Sequence, residues 1–315
     1  MAERGTTDAA AISVVIPTRN RASRLREAIA SVRRQTLAPL EIIVVDDASS
    51  DDTPALLQAL AAPDLRVIRN GARSGASRAR NLGIAAARGG LLAFLDDDDR
   101  WRPEKLAVQA AELAAAPARV GMVCCGYDVI AEPSGRLFKT WHPPDRPMDL
   151  AYFLRTTGFM TTVPLLRRVC FEQVGGFDER LEGGQDLDLW IRIAEQFDVI
   201  AVPDVLAEHR IHGHQITTDL PAKARASAGI LRKHRQRLAA NPDLLQRHLT
   251  RAALLHCAAG QAEVGQGYLV EALALAPDQQ ELRDHLDHSR NDPAGHAVWL
   301  RTHAFPSVEG IRLFY

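Results

Sequence analysis

LLAFLDDDDRW, residues 91–101, sets the problem of this chain: five apolar residues run straight into Asp96, Asp97, Asp98 and Asp99. Carboxylates that close repel one another. The bland reading is a solvated acidic loop, or a helix cap ahead of Pro103, since charge runs usually face water. Working outward, the apolar runs Ile12–Ile16, Ile42–Val45 and Leu65–Ile68 read as further buried strands. Helical patterns alternate with them: Leu25, Ile29 and Val32; then Leu56, Leu57 and Leu60 behind Thr53-Pro54; then a stretch from Gly75 to about Ala87, stopped by Gly89-Gly90; then Leu106, Ala110 and Leu113 behind Pro103. Strands alternating with helices predict an α/β fold with a mainly parallel sheet flanked by helices. Open sheets of this kind bind ligands beyond the carboxyl ends of their strands. Pro17 to Asn20, Asp46-Asp47 and Asp96 to Asp99 all fall at such ends, so residues distant in sequence are expected to meet at one rim.

The chain has 315 residues, a net charge of −1 and 46% hydrophobic residues, an ordinary globular balance. No global field draws it to nucleic acid or to an anionic membrane. No apolar run is long enough to span a bilayer, and the start lacks the pattern of a signal peptide. Cytoplasmic residence is expected, with membrane contact at most peripheral. The four cysteines, Cys124, Cys125, Cys170 and Cys257, form no C-x-x-C pair and read as reduced, packed thiols.

Beyond residue 120 the pattern changes. Val120 to Ile130 and Arg136 to Trp141, joined by Glu132-Pro133-Ser134-Gly135, read as a hairpin. Gly175-Gly176 and Gly183-Gly184 bracket a loop, and Leu187, Trp190, Ile191 and Ala194 form a helical stripe. Val199 to Val202 reads as a last short strand. From Thr217 to about Asp287 the sequence is helical and alanine-rich. The expected division is a flexible start over residues 1–11, a main domain over 12–216, and an all-α C-terminal extension over 217–315. Leu254 to Pro277 resembles a tetratricopeptide-type helix pair, and the extension could support a homodimer.

A divalent cation would offset the crowding of four aspartates. Mg2+ or Mn2+ takes carboxylate and phosphate oxygens. An EF-hand loop fails, because Arg100 and Trp101 occupy its fifth and sixth positions counted from Asp96. There is no P-loop motif and no dinucleotide fingerprint after the first strand. A nucleotide-diphosphate leaving group remains the natural use of the metal.

Four motifs then occur in order: Ile16-Pro17-Thr18-Arg19-Asn20-Arg21; Val44-Val45-Asp46-Asp47-Ala48-Ser49; Gly75 with Ala79-Arg80-Asn81-Leu82-Gly83; and Phe94-Leu95-Asp96-Asp97-Asp98-Asp99. Together they resemble the family 2 inverting glycosyltransferases of GT-A fold, over roughly residues 12–212. The resemblance implies a nucleotide-diphosphate sugar donor and a glycan, lipid-linked or small-molecule acceptor. It places Pro17, Thr18, Arg19, Asp46, Asp47, Arg78, Arg80, Asp96 and Asp97 on the nucleotide sugar. Asp98 is the implied metal ligand, with Asp96 beside it. His212, and with it Arg210, is implied near the diphosphate or metal.

Inverting transfer needs a base on the face opposite the departing diphosphate. GGQDLDLWIR, residues 183–192, offers Asp186, with Asp188 in reserve. Acidic residues also suit a helix start for reasons of the macrodipole alone. The family resemblance points to Asp186 and carries Gly176, Phe177, Asp178, Gln185 and Trp190 over to the acceptor side. Gln185 stands where the family more often has Glu. Two other readings remain: a sugar nucleotidyltransferase, which would carry a glycine-rich loop after the first strand, and a catalytically silent sugar-nucleotide-binding module.

Overall fold

The computed structural model describes residues 10–156, 159–212 and 219–304, with the backbone of 307–308 and 311–312. The chain forms two compact units: residues 1–153, 159–179 and 186–211, and residues 154–158, 180–185 and 212–315.

In chain order the first elements are β1 (Ile12–Thr18), α1 (Ala22–Arg33), β2 (Glu41–Asp46), α2 (Thr53–Ala59), β3 (Leu65–Arg69), α3 (Ala76–Ala86) and β4 (Leu91–Phe94). They continue with β5 (Arg100–Trp101), α4 (Lys105–Ala115), β6 (Val120–Ala131), β7 (Arg136–Trp141), α5 (Leu150–Arg155), β8 (Leu165–Arg167), α6 (Arg168–Val174), α7 (Gln185–Ala194) and β9 (Asp198–Ile211). Every residue of β1, β2 and β4 is buried. That is why they read as continuous apolar runs: strands covered on both faces lose the polar alternation.

The first unit holds one nine-stranded sheet of order β3-β2-β1-β4-β8-β6-β9-β5, with β7 on β6. β3, β2, β1 and β4 are parallel. β8 is antiparallel to β4 and β6, whereas β6 and β9 are parallel. The expected hairpin forms between β6 and β7. The chain moves outward from β1 to β3, then returns to β4 on the other side of β1. Strand order therefore reverses at β1, where a ligand crevice opens in such sheets. α3 lies directly on β1, and Gly83 makes this possible: a Cβ there would stand 2.3 Å from Val15 Cγ1.

Two expectations are corrected. The strand anticipated at Val199 to Val202 is 14 residues long, Asp198–Ile211. β8, which joins the two halves of the sheet, was not anticipated.

The second unit is built on α8 (Leu220–Ala239), α9 (Pro242–Ala258), α10 (Ala262–Leu275), α11 (Gln280–Asn291) and α12 (Pro293–Trp299), followed by a π-helical turn at Leu300–Ala304. Asp219, Asn241 and Asp292 cap α8, α9 and α12, each with proline within the next two residues. α9 and α10 make the helix pair read from the sequence. They pass closely, since a Cβ on Gly265 would meet Cys257 Sγ at 2.3 Å. Leu220, Ala224, Leu255, Cys257, Ala258 and Leu300 form a core cluster. Helix continues past Asp287, through α11 and α12. The boundary expected near 217 lies outside the described residues, as does most of the expected flexible start. No described helix is long and apolar enough to cross a membrane.

Candidate active site

Asp96 to Asp99 form the turn between β4 and β5, closed by Asp99 N donating to Asp96 O at 3.0 Å. The carboxylates leave the turn toward partners from several elements. Asp96 accepts from Arg80 Nη2 at 2.5 Å and from Thr161 Oγ1 at 3.0 Å. Asp97 accepts from Thr18 Oγ1 at 2.7 Å and Arg21 Nη1 at 2.8 Å. The same Arg21 nitrogen reaches Asp98 Oδ2 at 2.7 Å. Asp99 accepts from Thr162 Oγ1 at 2.7 Å and from Arg210 N at 3.1 Å, and its Oδ1 is 3.0 Å from His209 Nδ1. Repulsion within the turn is thus offset by cations and hydroxyls drawn from distant elements. Asp97 and Asp99 are buried, while Asp96 and Asp98 keep part of their surface.

Burial, opposed by Arg21, pushes the Asp97 carboxyl up to about 6. Burial also raises Asp99. Three donors converge on Asp99, however, and donors favour an ionised acceptor. Burial alone would lower His209, but the charge and hydrogen bond of Asp99, together with the charges of Asp98 and Asp96, raise it. His209, for which the sequence offered no role, is therefore the histidine bound into the acidic turn.

The neighbouring strand ends meet the same rim. Asp47 Oδ1 accepts from Asn70 Nδ2, Ser74 N and Ser74 Oγ, and Oδ2 accepts from Gly75 N. Burial works against ionisation, yet these bonds hold the Asp47 carboxyl below its ordinary range. Asp46 Oδ1 accepts from Ser49 N at 2.9 Å. Its Oδ2 is buried without a hydrogen bond, Arg69 Nε standing 3.5 Å away. A cavity of about 460 Å³ opens here, lined by Ala48, Ser49, Arg69, Asn70 and Gly71. Asn20 and Ala48 have φ of 54° and 60°, a backbone region that non-glycine residues seldom occupy. Asn20 ties the two loops, receiving Ser50 N on its Oδ1 at 2.7 Å and donating its own amide to Ser49 Oγ at 2.9 Å. A larger cleft of about 710 Å³ lies at the amino ends of β6 and β9, by Arg119 and Asp198, away from this rim.

Pro17 is buried in β1, and Arg19 is exposed just beyond it. Arg78 is exposed, 3.7 Å from Glu179, whereas Arg80 is buried. Arg80 rests over the Phe177 ring, 5.4 Å from its centre. Phe177 packs edge-on against Phe94 and Trp190. Trp190, whose Nε1 donates to Phe159 O at 2.8 Å, stands one turn after Asp186 on α7. A packed line therefore joins Asp96 to the helix of Asp186. Asp186 is half-buried and accepts from Leu187 N at 2.8 Å. Asp188 is fully buried, and Arg192 holds its Oδ2 with two nitrogens at 2.9 and 3.0 Å. Arg192 also donates to Gly176 O at 2.7 Å. Asn81 completes the Gly176–Glu179 loop: its Oδ1 accepts from Phe177 N and its Nδ2 donates to Phe177 O. Arg192 and Asn81 were not singled out from the sequence. Asp178 is half-buried in that loop, and Arg210 pairs with Glu27 and Glu132. Gln185 and His212 belong to the second unit.

The family model described as Glycosyl transferase family 2 matches residues 13–175, more than half of the chain. The chain belongs to that family. The uncharacterized glycosyltransferase RP339 of Rickettsia prowazekii (strain Madrid E) is 32% identical over 212 residues, 65% of each chain. The chain thus spans 65% of the length of that relative. Among solved structures, S. aureus TarS 1-349 in complex with UDP-GlcNAc aligns with a TM-score of 0.62 at 17% identity, covering 95% of both chains. The mannosyltransferase PcManGT from Pyrobaculum calidifontis in complex with GDP-Man and Mn2+ aligns with a TM-score of 0.54 at 23% identity, covering 94% of this chain and 89% of that one. At such identities the likeness is one of fold, and it is the GT-A fold that the motif order implied.

In this family 2 chain the acidic turn offers hard carboxylate oxygens, the donor type that suits Mg2+ or Mn2+. Among the described residues no group of three or more His, Cys, Asp or Glu side chains is arranged to hold a metal by itself. Asp96 and Asp98 are the two carboxylates of the turn that keep part of their surface.

Proposed function

We propose that the chain transfers a sugar from a nucleotide-diphosphate donor to a hydroxyl acceptor with inversion at the anomeric carbon. The observation that carries this reading is the packed line Asp96–Arg80–Phe177–Trp190, which places a partly exposed acidic turn and the helix of Asp186 on one rigid core. The solved relatives in fold hold UDP-GlcNAc, or GDP-Man with Mn2+. By that likeness the donor here is a UDP- or GDP-sugar.

Asp98, with Asp96 beside it, would hold Mg2+ or Mn2+, whose charge stabilises the diphosphate as it leaves. Asp46 and the cavity beside it receive the nucleoside, the unbonded Asp46 Oδ2 serving as acceptor. Asp47 positions the loop of Asn70 to Gly75 against it, while Pro17, Thr18, Arg19 and Arg78 border the donor. Arg80 and Asp97 fix the turn. On the other face the acceptor oxygen attacks the anomeric carbon, the bond to the diphosphate oxygen breaks, and the hydroxyl proton passes to Asp186. Asp188, locked by Arg192, holds α7 and the Gly176 loop in place and takes no proton. Gly176, Phe177, Asp178 and Trp190 shape the acceptor side. The acceptor is a glycan, a lipid-linked sugar or a small molecule, met in the cytoplasm or at the inner face of the membrane.

Asp186→Asn is expected to lower kcat roughly 10²–10⁴-fold while leaving the donor Kd within about twofold. Transfer at the wild-type rate would remove Asp186 from the mechanism. Asp98→Ala should raise the donor Kd about tenfold or more with Mn2+ present, and leave metal-free binding unchanged. Calorimetric titration with UDP- and GDP-sugars reads both.

A further inference from the structure

Arg21 stands where a cation bound to the acidic turn would have to go. It follows β1 by three residues and opens α1. One nitrogen, Nη1, donates to Asp97 Oδ1 at 2.8 Å and to Asp98 Oδ2 at 2.7 Å. Asp97 and Asp98 keep 6% and 9% of their side-chain surface, whereas Arg21 keeps 28%. The arginine is thus the member of the three with room to move. Its two acceptors are not equivalent. Asp97 is also tied to the end of β1, accepting from Thr18 Oγ1 at 2.7 Å. The other carboxylates of the turn have partners of their own: Arg80 pairs with Asp96, and His209 faces Asp99. A divalent ion on Asp98 meets this arrangement directly. Mg2+ holds a carboxylate oxygen at ~2.0–2.1 Å. Arg21 Nη1 is 2.7 Å from Asp98 Oδ2, so an ion on that oxygen would lie within about 5 Å of the arginine nitrogen even with the oxygen between them. Like charges that close repel strongly where water is largely excluded. Arg21 can relieve the repulsion without losing its ion pair, because the same nitrogen already bonds Asp97.

We propose that Arg21 is a displaceable counter-ion: it holds Asp98 until a divalent cation arrives, then yields that carboxylate and stays on Asp97. This role rests on the reading of Asp98 as a metal ligand, and it makes Arg21 the residue that sets how tightly the ion is held. An ion arriving alone must overcome Arg21. One arriving with a diphosphate brings negative oxygens that offset the repulsion. Arg21 thereby ties loading of the metal to loading of the donor.

The test is titration of the full chain with Mn2+ in the absence of nucleotide, read from the electron paramagnetic resonance of the free ion, so that no sugar transfer is needed. Arg21→Gln, which keeps a donor for Asp97 but no charge, should tighten the Mn2+ Kd roughly tenfold or more, the scale of one charge-assisted hydrogen bond. Arg21→Ala should act in the same direction. Adding Asp98→Ala to the Arg21→Gln chain should erase the gain. Arg19→Ala removes an exposed charge from the same loop and should change the Kd by less than about threefold, because exposed charges are screened. A residue that merely braced the turn would loosen the site when removed. An unchanged or weaker Kd in both Arg21 variants therefore overturns the displacement while leaving Asp98 as a ligand. An equal gain in Arg19→Ala would assign the effect to net charge and overturn it as well. Failure of both the wild type and Arg21→Gln to bind Mn2+, with Tm unchanged between them, would instead remove Asp98 from metal binding, and this role with it.

Discussion

Lys105 shows what one residue can cost a core. It is fully buried, and among the described residues no carboxylate pairs with it: Nζ donates to Gln109 Oε1 at 2.7 Å and lies 4.3 Å from the centre of the Trp101 ring. Burial lowers its ammonium to about 8. Between that value and the ordinary 10.5 the unfolded chain binds the extra proton, so unfolding free energy rises with pH across that window. At about 1.4 kcal/mol per pKa unit the rise is on the order of 2–3 kcal/mol. Lys105→Met should abolish it, so that the stability difference between variant and wild type changes with pH by most of that amount in urea unfolding from pH 8 to 10. At this scale the acidic turn was legible as chemistry, since Asp96 to Asp99 follow an unmistakably buried run. Its partners were not. His209 reaches Asp99 because the faces of β9 are set by its pairing with β6 and β5.

Among elements, α3 is held to close tolerance. A Cβ on Gly83 would stand 2.3 Å from Val15 Cγ1 and 3.0 Å from Cγ2, and Val15 is fully buried. Alanine's better helix propensity is worth up to about 1 kcal/mol. Overpacking costs roughly 1–3 kcal/mol. Gly83→Ala is therefore expected to destabilise by about 1–2 kcal/mol, and Val15→Ala in the same chain should recover part of that loss. Denaturant midpoints of the two single variants and the double variant measure it. α1, α4 and α7 were legible because apolar residues recur every three to four positions, and α3 because glycines bound it on either side. β8 was not, because Leu165–Arg167 is three residues long and takes its meaning from β4 and β6 on either side.

For the whole molecule, donor binding should appear as stability. A ligand at a hundred times its Kd adds about 2.7 kcal/mol to the folded state. Thermal shifts with UDP-, GDP- and dTDP-sugars plus Mn2+ should rank the nucleotides, and Asp98→Ala should lose the Mn2+-dependent part of the largest shift. Equal shifts for all three would remove base selection from the cavity beside Asp46.

From the chain alone came the parallel half of the sheet, the rim at its carboxyl ends, the hairpin, the helical C-terminal region and the motif order that marks family 2. All rest on local periodicity or on residues adjacent in sequence, and burial writes those patterns directly into the order of residues. Tertiary structure alone decided which cation faces which carboxylate: Arg21 meets Asp97 across 76 positions, and His209 meets Asp99 across 110. It also decided that Arg192 holds Asp188. Ion pairs and close packing depend on distance in space, and no periodicity along the chain records a separation that only folding brings to 3 Å.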